Sequence, residues 1–377
     1  MKKREILPAL LGCALRQEKV DESLLPLDWP TLLKQAKRHN VLPTLACVLP
    51  LLPEKPDAAT CRLLEGSLME QMLIGSNQLY AAQQLLEQFE SLGIYGMALK
   101  GIRTKTRYPQ DYMRTMGDLD ILCKPEQSPA VRKAMETLGY SDFEPGRKHD
   151  HYCRKPYINV EMHRELVASS SPYAPYYRDV WQRTQPAEGC GYRHEMSATE
   201  EYIYSIIHLV EHFMHGGVGL RFIMDVFVYE RFVTLDRELL KTQLKQLGLW
   251  DFYENVRILA LYWFEEGEKG AQTEELAAYV FLGGVYGTAE NASAAAVSKG
   301  GRLKFLLSAC FPAFGEMCSM YPWLKKFPIG LPVAWVVRAV DSLLHRRGNI
   351  RSQFSAYAKG DMEKGRQLQS FYRRCGL

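Results

Sequence analysis

The sequence predicts an α+β protein in which a small mixed sheet is flanked by N-terminal and C-terminal helical regions. Three patterns support this class: a long amphipathic helical pattern before residue 93, short alternating apolar segments between residues 93 and 168, and mostly helical periodicity afterwards. We therefore expect an N-terminal helical region (1–92), an α+β core (93–168) and a mainly helical C-terminal region (169–377).

The composition is that of an ordinary globular protein. The 377 residues are 47% hydrophobic and 24% charged, which excludes wholesale disorder, and the net charge is only +4. Such a mild charge does not indicate a protein that coats nucleic acid, although a local basic patch can hold a phosphate-bearing ligand. The nine cysteines form no C-x-x-C pair, which favours reduced thiols and a cytoplasmic location.

Two apolar segments bear on membrane association. The stretch 6–11 follows a basic terminus but is too short for a signal-peptide core, so an opening amphipathic helix is favoured over a lipoprotein leader. The segment 327–344 contains two prolines and two charged residues and falls short of the ~20 apolar residues of a membrane span. We expect a buried helix there, with peripheral membrane contact as the alternative, and no transmembrane segment.

The elements of the first 92 residues follow from prolines and from apolar spacing. Prolines divide residues 1–56 into short helices. One long amphipathic helix is predicted over 57–92, ended by Gly93 as its C-cap. Its apolar residues recur at spacings of four and seven: Leu64, Leu68, Met72, Leu79 and Leu86.

The core alternates short strands and helices. An apolar run fits a buried strand, and two later alternating segments fit a hairpin. Between them lies a further strand with one exposed face. The predicted elements are a strand over 94–99, a basic helical turn over 102–108, a strand over 118–123, a helix over 129–138 and hairpin strands over 148–154 and 157–163.

Three carboxylates indicate a metal site. Asp118 and Asp120 are two apart on a strand, so their side chains leave the same face with Cα atoms about 6.5–7 Å apart. Adjacent carboxylates repel unless they share a positive charge, and hard divalent cations take such oxygen ligands. A solvated strand edge is the alternative. Glu161 faces the same way as Asn159 and His163 on a later strand and completes a cation-binding set.

A phosphate site is expected where the first core strand ends. Leu99-Lys100-Gly101 leads directly into a helical start, where backbone N–H groups can hold phosphate and a glycine permits close approach. Positive charge gathers within a few residues, as a triphosphate requires. The cations are Lys100, Arg103, Lys105, Arg107 and Arg114.

Histidines form two further groups. Ser197 and Glu200 make a capping-box pair that begins a helix, on which His208, His212 and His215 share a row at spacings of four and three. That row can border a cleft, hold zinc or be structural, and all three alternatives stay open. His149 and His151 alternate on a hairpin strand and can approach the carboxylates, although a solvated hairpin is the default.

These motifs together resemble the bacterial "uncharacterised nucleotidyltransferase" family of the polymerase-β-like superfamily. The resemblance lies in Leu99-Lys100-Gly101, Tyr108-Pro109, the segment 114–122 and Val160-Glu161-Met162-His163, and it extends to the segments 208–212 and 219–225. It implies a nucleotidyltransferase core and a two-metal reaction, with Mg²⁺ or alternatively Mn²⁺. An acceptor nucleophile attacks the α-phosphorus of a nucleoside triphosphate, and pyrophosphate leaves.

The resemblance also assigns roles by position. Asp118, Asp120 and Glu161 are the catalytic and metal-binding acids. The nucleotide-binding candidates are Lys100, Gly101, Arg103 and Arg114, and the acceptor-pocket candidates are His163, His208 and His212. The acceptor stays open among a small molecule, a peptide, a protein and tRNA.

Two alternatives complete the sequence-based interpretation. A catalytically silent nucleotide-binding or scaffolding module is the alternative to the enzyme, and the presence of all three acids favours the enzyme. The basic residues at 346–351 and beyond allow nucleic-acid binding, but acidic residues are interspersed, so it is not favoured.

Overall fold

The computed structural model describes residues 5–144, 149–156, 158–284, 321–345 and 362–377, with single positions 291, 311, 314, 317 and 318 between them. The basic terminus at residues 1–4 and the basic segment 346–351 therefore lie outside the described residues. The helices, in chain order, are α1 Ile6–Arg16, α2 Trp29–Arg38, α3 Leu42–Ala46, α4 Ala58–Ser91, α5 Lys100–Lys105, α6 Ser128–Thr137, α7 Ala198–Met214, α8 Leu220–Phe232, α9 Arg237–Gln246, α10 Trp250–Glu265, α11 Thr273–Gly283, α12 Leu331–His345 and α13 Met362–Arg374.

The predicted long helix is confirmed as α4. Asp57 is its N-cap, and the carboxylate accepts hydrogen bonds from the backbone N–H groups of Ala59 and Thr60 at 2.9 and 3.0 Å. The helix ends at Ser91, and Gly93 follows with a φ of 69°, a left-handed conformation that glycine adopts without steric cost.

The core contains a five-stranded mixed sheet. The strands are β1 Gly96–Ala98, β2 Leu119–Cys123, β3 Asp142–Glu144, β4 His149–Arg154 and β5 Ile158–His163, in the order β1-β2-β5-β4-β3. β2 and β5 are parallel, whereas the other neighbours are antiparallel. The predicted hairpin is confirmed as β4 and β5, and the α+β class with helical flanks is confirmed as well.

Some elements differ from the prediction. The sequence pattern did not indicate β3, nor the two-stranded sheet of β6 Gln185–Pro186 and β7 His194–Glu195. The helix expected within 327–344 exists as α12, but the expected burial is wrong for Val333 and Val336 of this helix and for Ile329 just before it, which are mostly exposed. Among the residues that the structure describes, no helix has both the length and the apolar character that a membrane crossing needs.

Two hydrophobic clusters support the site. The larger one packs α1–α3 together with α7–α11 and α13, and the smaller one lies between the sheet, α6 and the C-terminal half of α4. Helix α4 contributes Leu64 to the larger cluster and Leu85 and Phe89 to the smaller one. The predicted boundaries at residues 92 and 168 stay predictions.

Candidate functional site

The strand register brings the three acids together. Asp120 in β2 lies directly opposite Glu161 in the parallel strand β5, and Asp118 immediately precedes β2. Burial, together with the neighbouring charges of Asp120 and Glu161, raises the pKa of the Asp118 carboxyl. Asp118 therefore lies close enough to the other two acids for their charges to act on it. The exposed face expected for this strand is wrong, because all five residues of β2 are buried.

Asp120 is the most deeply placed acid, with 2% of its surface exposed. Its Oδ1 atom lies 2.7 Å from His163 Nε2 and 3.3 Å from Lys100 Nζ. Burial alone would raise the pKa of Asp120, but the Lys100 charge and the hydrogen bond from His163 lower it to about 2. Asp120 is therefore ionised at neutral pH, and Lys100 lies beside it as the first residue of α5.

Three histidines surround Glu161. The Nε2 atoms of His149 and His163 each lie 3.4 Å from Glu161 Oε2, and His151 Nδ1 lies 3.9 Å from Oε1. Burial opposes ionisation of Glu161, but the hydrogen bond from His163 lowers its pKa. The default interpretation, in which His149 and His151 lie on a solvated hairpin, therefore did not include their contact with Glu161. Their alternation on β4 was the available signal.

Lys100 connects the acids to the helical region. Its Nζ atom lies 3.1 Å from His208 Nε2, and His208 Nε2 lies 3.0 Å from His212 Nε2. Phe222 of α8 packs against both imidazole rings, with centroids 5.8 and 5.3 Å away. Of the predicted acceptor residues, His163 contacts the acids directly, whereas His208 is connected to Asp120 through Lys100 and His212 lies beyond His208. His215 instead contacts the backbone oxygen of Glu211 on its own helix.

The two arginines predicted to bind nucleotide are both engaged with carboxylates. Arg114 is buried and pairs with Asp225 through two hydrogen bonds of 2.8 and 2.9 Å. Arg103 contacts Glu201 at 2.5 Å and Glu195 at 3.2 Å. Their phosphate contacts stay predictions, and the sequence patterns did not indicate that Asp225 would be Arg114's partner.

Gly101 is held in a crowded position. A Cβ atom there would lie 2.7 Å from the Met116 sulfur, so glycine permits the packing of α5 against the segment before β2. The Gly101 carbonyl accepts a hydrogen bond from Arg114 at 3.3 Å. The residue is buried, and its contact with a ligand stays a prediction.

The donor set fits a divalent cation. Within the part of the chain that the structure describes, two groups have ligand atoms all within 4.8 Å of one another: Asp120 with Glu161 and His163, and Glu161 with His149 and His151. Converging carboxylates are stabilised by a shared cation. Burial first, and the charges of Asp120 and Glu161 second, disfavour ionised Asp118, and a cation beside the three acids would favour its ionised form.

Comparison with known proteins agrees with this chemistry. A family model described as "Uncharacterised nucleotidyltransferase" matches residues 26–265, well over half of the chain. The chain belongs to this family. The resemblance inferred from residues 99–163 is thereby confirmed. No curated protein and no solved structure gives a significant match.

Membership of the nucleotidyltransferase family supports nucleotidyl transfer as the general chemistry and a nucleoside triphosphate as the substrate. The matched range runs from just before α2 to the end of α10, so it contains the sheet, the three acids and both histidine groups. The sheet and the helices that border it therefore all fall within the range that the family model matches.

Proposed function

We propose that this member of the nucleotidyltransferase family moves a nucleoside monophosphate from a nucleoside triphosphate to an acceptor nucleophile and releases pyrophosphate. The observation that carries the proposal is the convergence of three acids, with Asp118 just before β2 and Asp120 opposite Glu161 of the parallel strand β5, and with Lys100 3.3 Å from Asp120. Carboxylates beside a cation are the arrangement that nucleotide phosphates and their metal ions require.

Asp118, Asp120 and Glu161 are the residues that would hold Mg²⁺, or alternatively Mn²⁺. When bound, the metal supplies positive charge to the entering and departing oxygens of an in-line displacement. Lys100 adds a protein cation beside these acids and is the residue that we assign to the departing pyrophosphate. Ionised Asp120 keeps that ammonium in place before nucleotide binds.

The acceptor is proposed to bind on the side of α7. From Lys100, His208 and His212 extend the polar row away from the acids, at contacts of 3.1 and 3.0 Å. A neutral imidazole nitrogen can accept the proton of an acceptor hydroxyl. His163 is 1% exposed and bound to Asp120, so we assign it to orienting that acid rather than to contacting the acceptor.

A catalytically silent nucleotide-binding module is the second candidate. The observation that favours it is the pairing of Arg103 with Glu201 and of Arg114 with Asp225, which commits two predicted phosphate-binding cations to the protein itself. In that case Lys100 and the acids would bind nucleotide without transferring it.

The test compares nucleotide binding with pyrophosphate release. Titration calorimetry with each nucleoside triphosphate and Mg²⁺ measures binding. Pyrophosphate release is then followed with pools of small metabolites, peptides and tRNA as acceptors. Asp118→Asn and Asp120→Asn are expected to lower release at least ~100-fold, because several kcal/mol of charge stabilisation is lost. Asp179→Asn, at an exposed position, is the matched control and keeps full release.

Three outcomes are distinguishable. Wild-type release in either acid variant, with folding confirmed by circular dichroism, would contradict the metal-site assignment. Magnesium-dependent binding without release in any pool would support the silent module. Absence of both binding and release would refute both candidates.

A further inference from the structure

We infer that His149, His151 and Glu161 form a second cation site, which takes a borderline transition metal ion such as Zn²⁺ instead of a hard ion. The inference deepens the proposed function, on which it rests because Glu161 is shared with the Mg²⁺ site. It adds two nitrogen ligands from β4 to a metal site for which the sequence analysis named only carboxylate ligands.

The backbone builds this group. His149 and His151 are two residues apart on β4, so their side chains leave the same face of the sheet. The antiparallel register places His151 opposite Glu161 and His149 opposite His163. The two imidazoles therefore point to the face that carries Glu161, and the positions are fixed by strand pairing and not by a loop.

The spacing of the ligand atoms suits a tetrahedral ion. Zinc binds imidazole nitrogen and carboxylate oxygen at about 2.0–2.2 Å, so two ligands of a tetrahedral ion lie roughly 3.3 Å apart. His149 Nε2 lies 3.1 Å from His151 Nε2 and 3.4 Å from Glu161 Oε2. The three residues can present ligand atoms that all lie within 4.8 Å of one another, so only small rotations are needed.

One nitrogen of His149 lies close to both of the other groups. A neutral imidazole carries one N–H and one acceptor nitrogen. His149 Nε2 lies within 3.5 Å of both His151 Nε2 and Glu161 Oε2. If this nitrogen bears the proton, it donates to one of them only; if it lacks the proton, its lone pair faces the carboxylate. A cation placed between the three groups can be coordinated by all of them at once.

The ligand types and their exposure indicate the class of ion. Two imidazoles and one carboxylate are the ligand set of catalytic zinc sites, which keep a fourth position for water or a substrate oxygen. The side chains of His149, His151 and Glu161 are 25%, 47% and 18% exposed, so an ion can enter from solvent. The neighbouring group is less accessible, because the His163 side chain is almost fully buried and lies 2.7 Å from Asp120.

The test measures metal binding by the full chain without nucleotide. Protein freed of metal by a chelator is titrated with Co²⁺, whose visible absorption reports nitrogen ligands and low coordination number, and Zn²⁺ is then added as a competitor. The wild type is expected to bind one Co²⁺ that Zn²⁺ displaces and that excess Mg²⁺ does not. His149→Ala and His151→Ala should each weaken binding by more than the roughly 10–100-fold cost of losing an outer-sphere partner.

Two control variants are matched to the alternatives. Asp118→Asn changes the carboxylate set but leaves both imidazoles, and His208→Ala removes the i, i+4 histidine pair of α7. Both are expected to keep the Co²⁺ band. Circular dichroism confirms that each variant is folded, and the glutamine variant at the same position replaces any alanine variant that is not.

The results separate this inference from the proposed function. Failure of the wild type to bind Co²⁺, or a band that persists when His149 and His151 are both replaced, overturns the inference. Loss of the band in His208→Ala alone would move the site to α7 and overturn it as well. The Co²⁺ titration contains no nucleotide. If the separate assay shows no pyrophosphate release, that outcome refutes the proposed function without affecting the result of the titration.

Discussion

Replacing Asp225 with asparagine is expected to destabilise the protein strongly. Asp225 accepts hydrogen bonds from Arg114 Nε and Nη2 at 2.8 and 2.9 Å, and from the Tyr108 hydroxyl at 2.7 Å. The Arg114 and Asp225 side chains are 8% and 6% exposed. Asparagine keeps the shape of the side chain but removes its negative charge and one of its two acceptor oxygens.

The magnitude follows from the charge that is left behind. Arg114 cannot lose its proton in the protein, so Asp225→Asn leaves a buried guanidinium without a counter-charge. Breaking a buried pair in this way costs about 3–5 kcal/mol of the free energy of unfolding. Replacing Arg114 with methionine at the same time removes the unpaired charge. The double variant should therefore be more stable than Asp225→Asn alone.

Urea unfolding measures these differences in the free energy of unfolding. The slope of that free energy against urea concentration should be the same in all variants. Glu275→Gln is the control for an exposed ion pair, since Glu275 and Arg374 are 49% and 46% exposed. We expect that control to lose less than ~1 kcal/mol. A loss of less than about 1 kcal/mol in Asp225→Asn, or a double variant no more stable than it, would refute the reasoning.

The same variants test the predicted phosphate role of Arg114. If Arg114 serves only to hold Gly101 and α8 together, a folded double variant should bind nucleoside triphosphate as the wild type does. If Arg114 also contacts phosphate, triphosphate binding should weaken even where stability is restored. Titration calorimetry on the double variant decides between these roles.

Three further outcomes are expected. The pKa of His163 is raised in the folded protein, so its protonated form stabilises the fold below about pH 6.5, and this contribution is lost as pH rises through the raised value. His163→Gln should therefore lower the melting temperature more at pH 5 than at pH 9. An equal loss at both pH values would contradict this prediction. Lys100→Ala should weaken triphosphate binding more than monophosphate binding in calorimetry, because the ammonium is assigned to the outer phosphates; equal weakening would argue against that assignment. Ser197→Ala should cost about 0.5–2 kcal/mol in urea unfolding, because the hydroxyl accepts the Glu200 N–H at 3.2 Å, and an unchanged midpoint would show that the cap is dispensable.

Local patterns in the sequence predicted much of this fold. The alternation along 118–123 and 157–163 predicted both strands that carry the acids, and the faces on which Asp120 and Glu161 lie. The Ser197 cap and the limits of α4 were also readable, because capping and apolar spacing depend on neighbours in sequence.

Contacts between distant residues were not readable in the same way. Arg114 and Asp225 are 111 positions apart, and no periodicity specifies that one guanidinium will meet one carboxylate rather than a phosphate. The approach of His149 to Glu161 likewise depends on the register of β4 against β5. Register is set by packing of whole strands, so alternation identified the face but not the contact.

Helix α4 has a consequence for how the protein unfolds. Its 34 residues extend roughly 50 Å at 1.5 Å per residue, and its two ends are embedded in different hydrophobic clusters through Leu64 and Phe89. If either cluster loses its order, α4 loses packing contacts on which the other cluster also depends. The two clusters should therefore lose their slow hydrogen exchange together, at one free energy, instead of opening as separate cooperative units.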